Sequence, residues 1–273
     1  RQRATWDLTA LLNAADPTSD FMASRCPGVP VYRYGLDPAA PFHARDIQPS
    51  PDGTTFELVT PRGHARCRLR LLGLHNVENA LAAAEVAASQ GVGVTSIAEA
   101  LSSFESVPGR LEPIDEGQPF RVYVDIASTP EAFRKVLELL RPATEGELIV
   151  VFGAAGERDR NRRFGMGTVA AALADFAVLT NEDPRSEDPE AIIDDIARSM
   201  IDAGAAEGER FVRVTDRREA IALACARARP GDTVLLAGKG TEQAIDLRDG
   251  SIPWDERVVA HDVLRGLRTP AGQ

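Results

Sequence analysis

Residues 148–185 read LIVVFGAAGERDRNRRFGMGTVAAALADFAVLTNEDPR and contain two apolar runs of strand length, each followed by a polar loop. The runs are Leu148–Phe152 and Phe176–Thr180, and a helix-like segment lies between them. In an open α/β sheet, ligands bind beyond the carboxyl ends of the strands. Two such loops at neighbouring strand ends therefore predict one charged pocket.

The two loops carry complementary charges. Residues 157–163 read ERDRNRR and place four guanidinium groups within seven residues. Arginine presents a planar fork that binds carboxylates and phosphates bidentately. The second loop, Asn181–Arg185, adds acids at the equivalent position. A solvated charged surface is the alternative interpretation of the first loop alone, but acids opposite an arginine cluster favour a zwitterionic ligand.

Outward from this stretch, the second half of the chain alternates strands with helices. We predict strands at 121–125, 148–152, 176–180, 211–214 and 233–236, and helices at 130–140, 166–174, 189–203, 217–228 and 254–267. Regular alternation of this kind predicts a parallel sheet covered on both faces, which is a Rossmann-like architecture. The glycines at 153–156 and 238–241 match neither the dinucleotide fingerprint nor a P-loop.

Four polar loops are expected at the same edge of that sheet. They begin at Asp125, Gly153, Asn181 and Ala237. Glycine-rich backbone beside a cation, as in Ala237–Glu242, can form an anion-binding nest. Tight-turn packing explains any one of these loops, whereas four loops at one edge favour a binding site.

The first half of the chain has a different pattern. We predict strands at 8–12 and 29–34, a short helix at 18–24, a three-stranded antiparallel meander within 43–72, and helices at 74–89 and 95–104. Two Pro-x-Gly turns, at residues 51–53 and 61–63, separate the alternating runs of the meander. Val107–Arg110 breaks the pattern and predicts a boundary between domains 1–109 and 110–273.

Two asparagines stand in the first turn of the predicted helix 74–89. Asn76 and Asn79 are three residues apart, so their amides share one side of the helix. Asparagine at this position usually caps the helix or bonds locally. The functional alternative is that one amide recognises an adenine edge, because it offers both a donor and an acceptor.

Composition excludes several classes of function. The net charge of −10 and the pI near 5.0 argue against general binding to nucleic acids or anionic membranes. The three cysteines and four histidines show no metal-ligand spacing, and the odd cysteine count favours a reducing cytoplasm. No apolar run approaches the ~20 residues of a membrane span.

Six motifs occur in order along the chain. They are L-G-x-H-N-x-x-N-A-L-A-A (72–83), G-R-L-E (109–112), D-x-A-x-T-P (125–130), F-G-x-x-G-x-R-D-x-x-x-R-x-x-M-G (152–167), D-P-R-x-E (183–187) and A-G-K-G-x-E (237–242). Together they resemble the Mur ligases, specifically the MurE type. The resemblance implies the later part of a central domain, with its small antiparallel meander, followed by a Rossmann-like C-terminal domain.

The resemblance also implies a reaction. Ligases of this type join diaminopimelate or lysine to UDP-N-acetylmuramoyl-dipeptide in peptidoglycan synthesis, using ATP and Mg²⁺ and an acyl phosphate. A diamino acid would be the second substrate, and the protein would be a cytoplasmic monomer. The residues that bind Mg²⁺ and most of ATP precede this chain in the family.

Site residues follow from the same resemblance. Nucleotide-binding residues would be Asn76, Asn79, Arg110 and Asp125. The incoming amino acid would be bound by Arg158, Asp183, Arg185, Gly238 and Glu242. The arginines suit carboxylates and the acids suit ammonium groups, so diaminopimelate fits better than lysine. The resemblance implies no metal ligand and no catalytic residue within this chain.

Four positions depart from the family pattern. Asp183 replaces a usual Asn, Ser128 and Thr241 each replace a usual His, and Arg162 replaces a usual Lys. No P-loop sequence occurs, so the chain alone is expected not to hydrolyse ATP. Two alternatives stay open: a superfamily ligase for another amino acid, such as a folylpolyglutamate or cyanophycin type, and a non-catalytic scaffold that kept the fold.

Overall fold

The structure is a computed structural model that describes residues 8–268. It divides into two compact units, Arg1–Glu105 and Ser106–Gln273, and each unit has its own central sheet. The predicted domains 1–109 and 110–273 include residues 1–7 and 269–273, which lie outside the described residues. Within residues 8–268, every helix is too short or too polar to cross a bilayer.

The first unit is built on a five-stranded sheet in the order β1-β2-β3-β4-β5. Its elements are β1 (Ala10–Asn13), α1 (Ser19–Ser24), β2 (Val31–Gly35), β3 (Phe42–Ser50), β4 (Gly53–Thr60), β5 (Gly63–Leu69), α2 (Leu74–Ser89) and α3 (Val94–Ser103). β1, β2 and β3 are parallel, whereas β3, β4 and β5 are antiparallel. The predicted meander is confirmed, and two parallel strands extend it into a mixed sheet.

One face of this meander is buried beneath the two helices. Alternate residues of β4, Phe56 and Leu58, are fully buried and pack with Val77 and Leu81 of α2 and with Ile97 of α3. A strand with period-two burial presents one face to the core. Burial of each such side chain contributes about 1.5–3 kcal/mol of hydrophobic free energy.

The second unit is built on a six-stranded sheet in the order β10-β9-β8-β11-β7-β6. Its elements are β6 (Glu112–Pro113), β7 (Arg121–Asp125), α4 (Pro130–Leu140), β8 (Leu148–Phe152), α5 (Asn161–Leu173), β9 (Phe176–Leu179), α6 (Pro189–Asp202), β10 (Phe211–Arg213), α7 (Arg217–Arg227), β11 (Thr233–Ala237), β12 (Ala244–Leu247), β13 (Gly250–Pro253) and α8 (Glu256–Arg268). β7 to β11 are mutually parallel, as predicted, and β6 adds an antiparallel edge.

The order of the strands decides which face each helix covers. The chain moves in one direction from β7 through β8 and β9 to β10, then returns to insert β11 between β7 and β8. Because parallel crossovers are right-handed, a reversal of direction moves the connecting helix to the opposite face. α4, α5 and α6 contact one another in sequence, while α7 and α8 pack over the other face of β8 and β11. The result is a three-layer α/β/α unit.

Several details differ from the sequence-based predictions. α5 begins at Asn161 instead of residue 166, so the second half of the arginine-rich segment is helical. The last helix begins at Glu256, which leaves Trp254 outside it. The hairpin formed by β12 and β13 was not predicted, and its two-residue turn is Arg248-Asp249.

Candidate functional site

Four polar loops share one edge of the six-stranded sheet. β9, β8, β11 and β7 are adjacent and parallel, so their carboxyl ends meet at the same edge. The loops that follow them begin after Leu179, Phe152, Ala237 and Asp125 respectively. The prediction that these four loops lie together is confirmed.

The crevice between β8 and β11 is a topological switch point of this sheet. The loop after β8 leads to α5 on one face, whereas the chain after β11 leads to α8 on the other face. Loops that diverge in this way leave a crevice at the carboxyl ends, where open α/β sheets bind their ligands. Gly153 and Gly238 begin the two diverging loops.

The loops after β8 and β9 are tied directly to each other. The Gly156 N–H donates to the Asp183 carbonyl at 2.8 Å, and Arg185 Nη1 donates to the Gly156 carbonyl at 3.2 Å. A Cβ at Gly153 would lie 2.3 Å from the Thr180 carbonyl oxygen, so glycine permits this approach of the two loops. The prediction that the two loops lie side by side is therefore confirmed.

The ammonium group of Lys239 is the buried centre of the site. Its Nζ donates to Asp183 Oδ1 at 2.8 Å and to Glu242 Oε2 at 2.7 Å, and the side chain is fully buried. Asp183 Oδ1 also accepts the Asp246 N–H at 2.9 Å. Lys239 thus joins the loops after β9 and β11, and it brings together two of the acids that the sequence analysis named.

Arg185 and Arg158 present cations at the same edge. Arg185 has a left-handed backbone conformation, with φ of 53°, and its N–H donates to the Asp246 carbonyl at 2.9 Å. Its Nε lies 3.9 Å from Asp246 Oδ2, a weak ion pair, and the side chain is partly exposed. Arg158 is exposed, and within residues 8–268 its guanidinium makes no hydrogen bond or ion pair.

The predicted cluster of four guanidinium groups is wrong, because three of them have internal partners. Arg160 donates to Asp195, Arg162 donates to Ser128, and Arg163 donates to Asp195 and Glu187. Helix α5 begins inside the cluster and directs these side chains toward α6 and the loop after β7. Of the four, Arg158 is left available to a ligand within the described chain.

Arg163 holds the loop after β9 in place. It is almost fully buried and binds both carboxylate oxygens of Glu187 at 2.7 Å. Glu187 also accepts the Glu157 N–H, so this carboxylate connects both loops to α5. The hydrogen bonds from Arg163 hold the pKa of Glu187 below its usual value. This pair positions Arg185, two residues earlier in the same loop.

A second buried network lies beneath the site. Arg217 binds Glu256 through Nε and Nη2, with Nη2–Oε1 at 2.6 Å, and donates to the carbonyls of Asn181 and Ala237 at the ends of β9 and β11. Glu182 is buried beside it, and among the described residues its Oε2 has no hydrogen-bond partner. Burial raises the pKa of Glu182 to about 7, although the positive charge of Arg217 opposes the shift.

Asp125 at the end of β7 organises the backbone around it. Its carboxylate accepts the N–H groups of Leu111 and Ala127, each at 2.8 Å, and its carbonyl accepts the Gly238 N–H at 3.0 Å. Gly238 has φ of +109°, and a Cβ there would lie 2.7 Å from Glu182 Oε2. Arg110 is exposed beside Leu111. These contacts place Asp125, Gly238 and Arg110 on the same side of the sheet edge.

Two departures from the family pattern contact each other. Arg162 donates through Nε to the Ser128 carbonyl at 3.1 Å and through Nη2 to Ser128 Oγ at 3.1 Å. A guanidinium and a small hydroxyl here occupy positions where the family pattern has lysine and histidine. The two replaced residues are therefore joined by hydrogen bonds. Thr241, the third departure, is exposed in the loop after β11.

The two asparagines of the first unit bond locally. Asn76 Nδ2 donates to the Leu72 carbonyl at 2.8 Å, and Asn79 Nδ2 donates to Asn76 Oδ1 at 3.2 Å. Their shared side of α2 is confirmed, and the bond to Leu72 is local bonding of the kind that the sequence favours, although it does not cap the helix, whose N-cap is Gly73. Asn79 is exposed, so its amide can still contact a ligand.

Three residues that shape this site were assigned no role of their own from the sequence: Lys239, Glu182 and Arg217. Lys239 stands in the A-G-K-G-x-E motif, but its sequence position does not show that it is buried between two acids. Glu182 and Arg217 carry no motif signal, because a charged residue at a strand end or helix start is ordinarily exposed. Within residues 8–268, no group of three or more His, Cys, Asp or Glu side chains is arranged to hold a metal ion.

Comparisons with known proteins agree on one family. The model of the family described as "Mur ligase middle domain" matches residues 2–87, and that of "Mur ligase, glutamate ligase domain" matches residues 109–240. A UDP-N-acetylmuramyl-tripeptide synthetase of Roseiflexus sp. is 44% identical over 94% of this chain and 51% of its own length. A UDP-N-acetylmuramoyl-L-alanyl-D-glutamate--2,6-diaminopimelate ligase of Geobacillus thermodenitrificans is 39% identical over 95% and 52%.

A solved structure has the same fold. It is titled as a UDP-N-acetylmuramoyl-L-alanyl-D-glutamate--2,6-diaminopimelate ligase and superposes with a TM-score of 0.71 at 31% identity, covering 96% of this chain and 54% of its own. The chain spans about half the length of the curated relatives that it matches.

Proposed function

The chain belongs to the Mur ligase family, and on that premise we propose that it supplies part of the middle domain and the C-terminal domain of an ATP-dependent diaminopimelate ligase. The substrates would be UDP-N-acetylmuramoyl-L-alanyl-D-glutamate and a diamino acid. The relatives that carry this activity in their names support the proposal, as does the arrangement of charges at the sheet edge. The protein is expected to act as a cytoplasmic monomer.

The proposed reaction forms one amide bond for each ATP. A glutamyl carboxylate oxygen attacks the γ-phosphorus, ADP leaves, and an acyl phosphate results. The amine nitrogen then attacks the acyl carbon, inorganic phosphate leaves, and the nitrogen loses a proton. ATP with Mg²⁺ supplies the phosphoryl group. Residues of this chain bind and orient the amine, because correct placement of two reactants removes much of the entropic barrier.

The observation that carries the proposal is the zwitterionic character of the edge between β9, β8 and β11. Arg185 and Arg158 offer cations, and Glu242 offers a carboxylate whose side chain is about half exposed. Arginine binds a carboxylate bidentately, and a carboxylate accepts from an ammonium. An amino-acid head group has both charges. Diaminopimelate carries such a head group at each end, whereas the distal end of lysine would leave the arginines without a partner.

Nucleotide recognition is proposed for residues of both units. Asn79, with its exposed amide, suits an adenine edge, and Asn76 orients that amide through the bond at 3.2 Å. Arg110 suits a phosphate, since it is exposed and cationic. Asp125 is buried and accepts backbone N–H groups, so we assign it to shaping the loop at 109–112. Mg²⁺ would be held chiefly by residues that this chain does not contain.

The direct test is amino-acid binding to the chain, measured by isothermal titration calorimetry. We expect meso-diaminopimelate to bind more tightly than lysine or glutamate. Arg185→Ala should weaken diaminopimelate binding by about 2–5 kcal/mol, because one partner of a charge-assisted pair is removed. Arg248→Ala is the matched control, since Arg248 is exposed and donates only to the Ser186 carbonyl within the described residues. Preference for glutamate would instead favour a folylpolyglutamate-type ligase.

A second test separates a ligase from a binding protein that kept the fold. The chain should not hydrolyse ATP by itself, because it contains no P-loop sequence. The intact mass of the protein in its own cells should exceed 29.4 kDa, and that protein should form the tripeptide product. Binding of diaminopimelate without turnover by the native protein would favour the scaffold alternative.

A further inference from the structure

We infer that the two acids beside Lys239 have different roles: Asp183 is the permanent internal partner of Lys239, and Glu242 is the acid that receives the ammonium of the incoming amino acid. The inference rests on the proposed function and revises one part of it. Asp183 becomes a positioning residue, whereas the sequence analysis assigned it to substrate binding.

Burial distinguishes the two acids. The side chain of Asp183 is 10% exposed, and that of Glu242 is 45% exposed. One oxygen of Asp183 accepts both the Lys239 ammonium and the Asp246 N–H. Glu242 gives one oxygen, Oε2, to Lys239, and its Oε1 has no partner within residues 8–268. A ligand can therefore reach a free carboxylate oxygen on Glu242, while little of Asp183 is open to it.

The structural position of Asp183 also supports its role as an internal partner. Its carbonyl accepts the Gly156 N–H, and its carboxylate accepts the N–H of Asp246 in β12. These bonds join the loops after β8 and β9 to the hairpin that follows the Lys239 loop. A group that bonds three segments at once is suited to holding the pocket walls. A ligand that competed for Asp183 Oδ1 would have to break the bonds to Lys239 and to the Asp246 N–H.

The charges of the three groups explain why an acid is favourable at position 183. With an amide there, the only acid bonded to the Lys239 ammonium would be Glu242, and the pair would be neutral. Asp183 supplies a second carboxylate, so the three groups carry a net charge of −1. Opposite charges attract most strongly where water is excluded. Because buried Asp183 neutralises the Lys239 ammonium, the negative charge of Glu242 stays available for one ammonium of the ligand. The site thus matches one zwitterionic head group.

The experiment compares four variants by calorimetric titration with meso-diaminopimelate: Glu242→Gln, Asp183→Asn, Lys239→Met and the double variant Lys239→Met/Asp183→Asn. Glu242→Gln should weaken binding roughly 30-fold or more, as expected for loss of one partner of a charge-assisted pair. Asp183→Asn should have a smaller effect, since it changes the charge beside Glu242 without removing a ligand contact.

The double variant is the decisive comparison. It removes the internal pair as a unit, keeps Glu242 and avoids the unpaired buried acid that Lys239→Met leaves behind. We expect it to bind within about threefold of the wild-type chain and more tightly than Asp183→Asn. If Asp183 contacts the ammonium directly, the double variant will bind at least as poorly as Asp183→Asn, and the inference is overturned.

A measurement without ligand keeps this inference separate from the proposed function. The Nζ proton signals of Lys239 in nitrogen-15 NMR should be protected from exchange in the wild-type chain and lose that protection in Asp183→Asn. Retained protection in Asp183→Asn would overturn the internal pair. Failure of diaminopimelate to bind a wild-type chain with a protected Lys239 would instead count against the proposed function.

Discussion

The asparagines of the first unit and the charges of the second unit are positioned by contacts of different range. Asn76 and Asn79 bond to residues three or four positions away, at the start of α2. Lys239 and Asp183 are 56 residues apart in sequence and meet because β11 and β9 flank β8. A helix alone can arrange the first pair. The second pair depends on the whole sheet, so damage to distant residues should affect the two regions unequally.

The largest effect is expected from Arg217→Met in the second unit. Arg217 binds buried Glu256 and the carbonyls that end β9 and β11, so its loss leaves a buried carboxylate without its partner. The free energy of unfolding should fall by about 3–5 kcal/mol. Urea denaturation followed by circular dichroism measures this change. Arg218→Met is the control, because the Arg218–Asp262 pair is exposed and 3.8 Å long; equal losses in both variants would contradict the prediction.

Buried glutamates allow a test of both units at once. Burial raises the pKa of Glu85 in α2 and of Glu182 after β9 to about 7 each. The folded chain keeps these protons up to that pH, while an unfolded glutamate releases its proton near pH 4.5, so each group reduces stability as the pH rises between these values. Glu85→Gln and Glu182→Gln should each increase stability at pH 8 by up to about 3 kcal/mol.

The pH dependence of the two glutamine variants provides the check. Their advantage over the wild-type chain should shrink toward zero as the pH falls from 8 to about 4.5 in urea titrations. In the part of the chain that the structure describes, both oxygens of Glu85 are without hydrogen-bond partners, whereas Glu182 lies near the opposing charges of Arg217 and Lys239. A constant difference at all pH values would show that proton binding is not its cause.

A smaller effect is expected from Gly153→Ala at the contact of the two loops. The new Cβ would meet the Thr180 carbonyl at 2.3 Å, and this carbonyl belongs to backbone that cannot move aside cheaply. Overpacking of this kind costs about 1–3 kcal/mol. Gly93→Ala in the first unit is the matched control, since no atom lies within 4 Å of a Cβ there. Thermal melting of both variants tests whether close approach, rather than loss of glycine, is responsible.

The smallest effect is expected from Asn79→Ala. The change removes one exposed hydrogen bond to Asn76, and alanine has the higher helix propensity. The two contributions oppose each other, so the free energy of unfolding should change by less than about 0.5 kcal/mol. A loss above 2 kcal/mol in urea denaturation would show that the amides of the first unit have a structural role beyond their own turn.

The elements were largely predictable because their signals are local. The helix Leu74–Ser89 and the strand Leu148–Phe152 have the predicted bounds, since periodicity and composition within the segment determine them. The start of α5 was placed five residues too late, because arginines and glycines there suggested a loop. The hairpin Ala244–Pro253 was missed, because its two-residue turn is Arg248-Asp249 and the Asp-Gly dipeptide does not occupy the two central turn positions.

The roles of charged residues were less predictable. The sequence shows Arg160, Arg162 and Arg163 beside Arg158 in one arginine-rich loop, but only Arg158 is without an internal partner in the described chain. Charge type and strand-end position show that a residue can bind a ligand. They do not show whether another part of the chain has already neutralised it.

The sequence by itself determined the alternation of strands and helices, the four polar strand ends and the family to which the chain belongs. These features follow from patterns within a few residues or from the order of motifs. Only the tertiary structure decided which charges stay available, by pairing Arg163 with Glu187 and burying Lys239 between Asp183 and Glu242. The physical reason is that an ion pair depends on distance and burial, and both are set by the order of strands in the sheet.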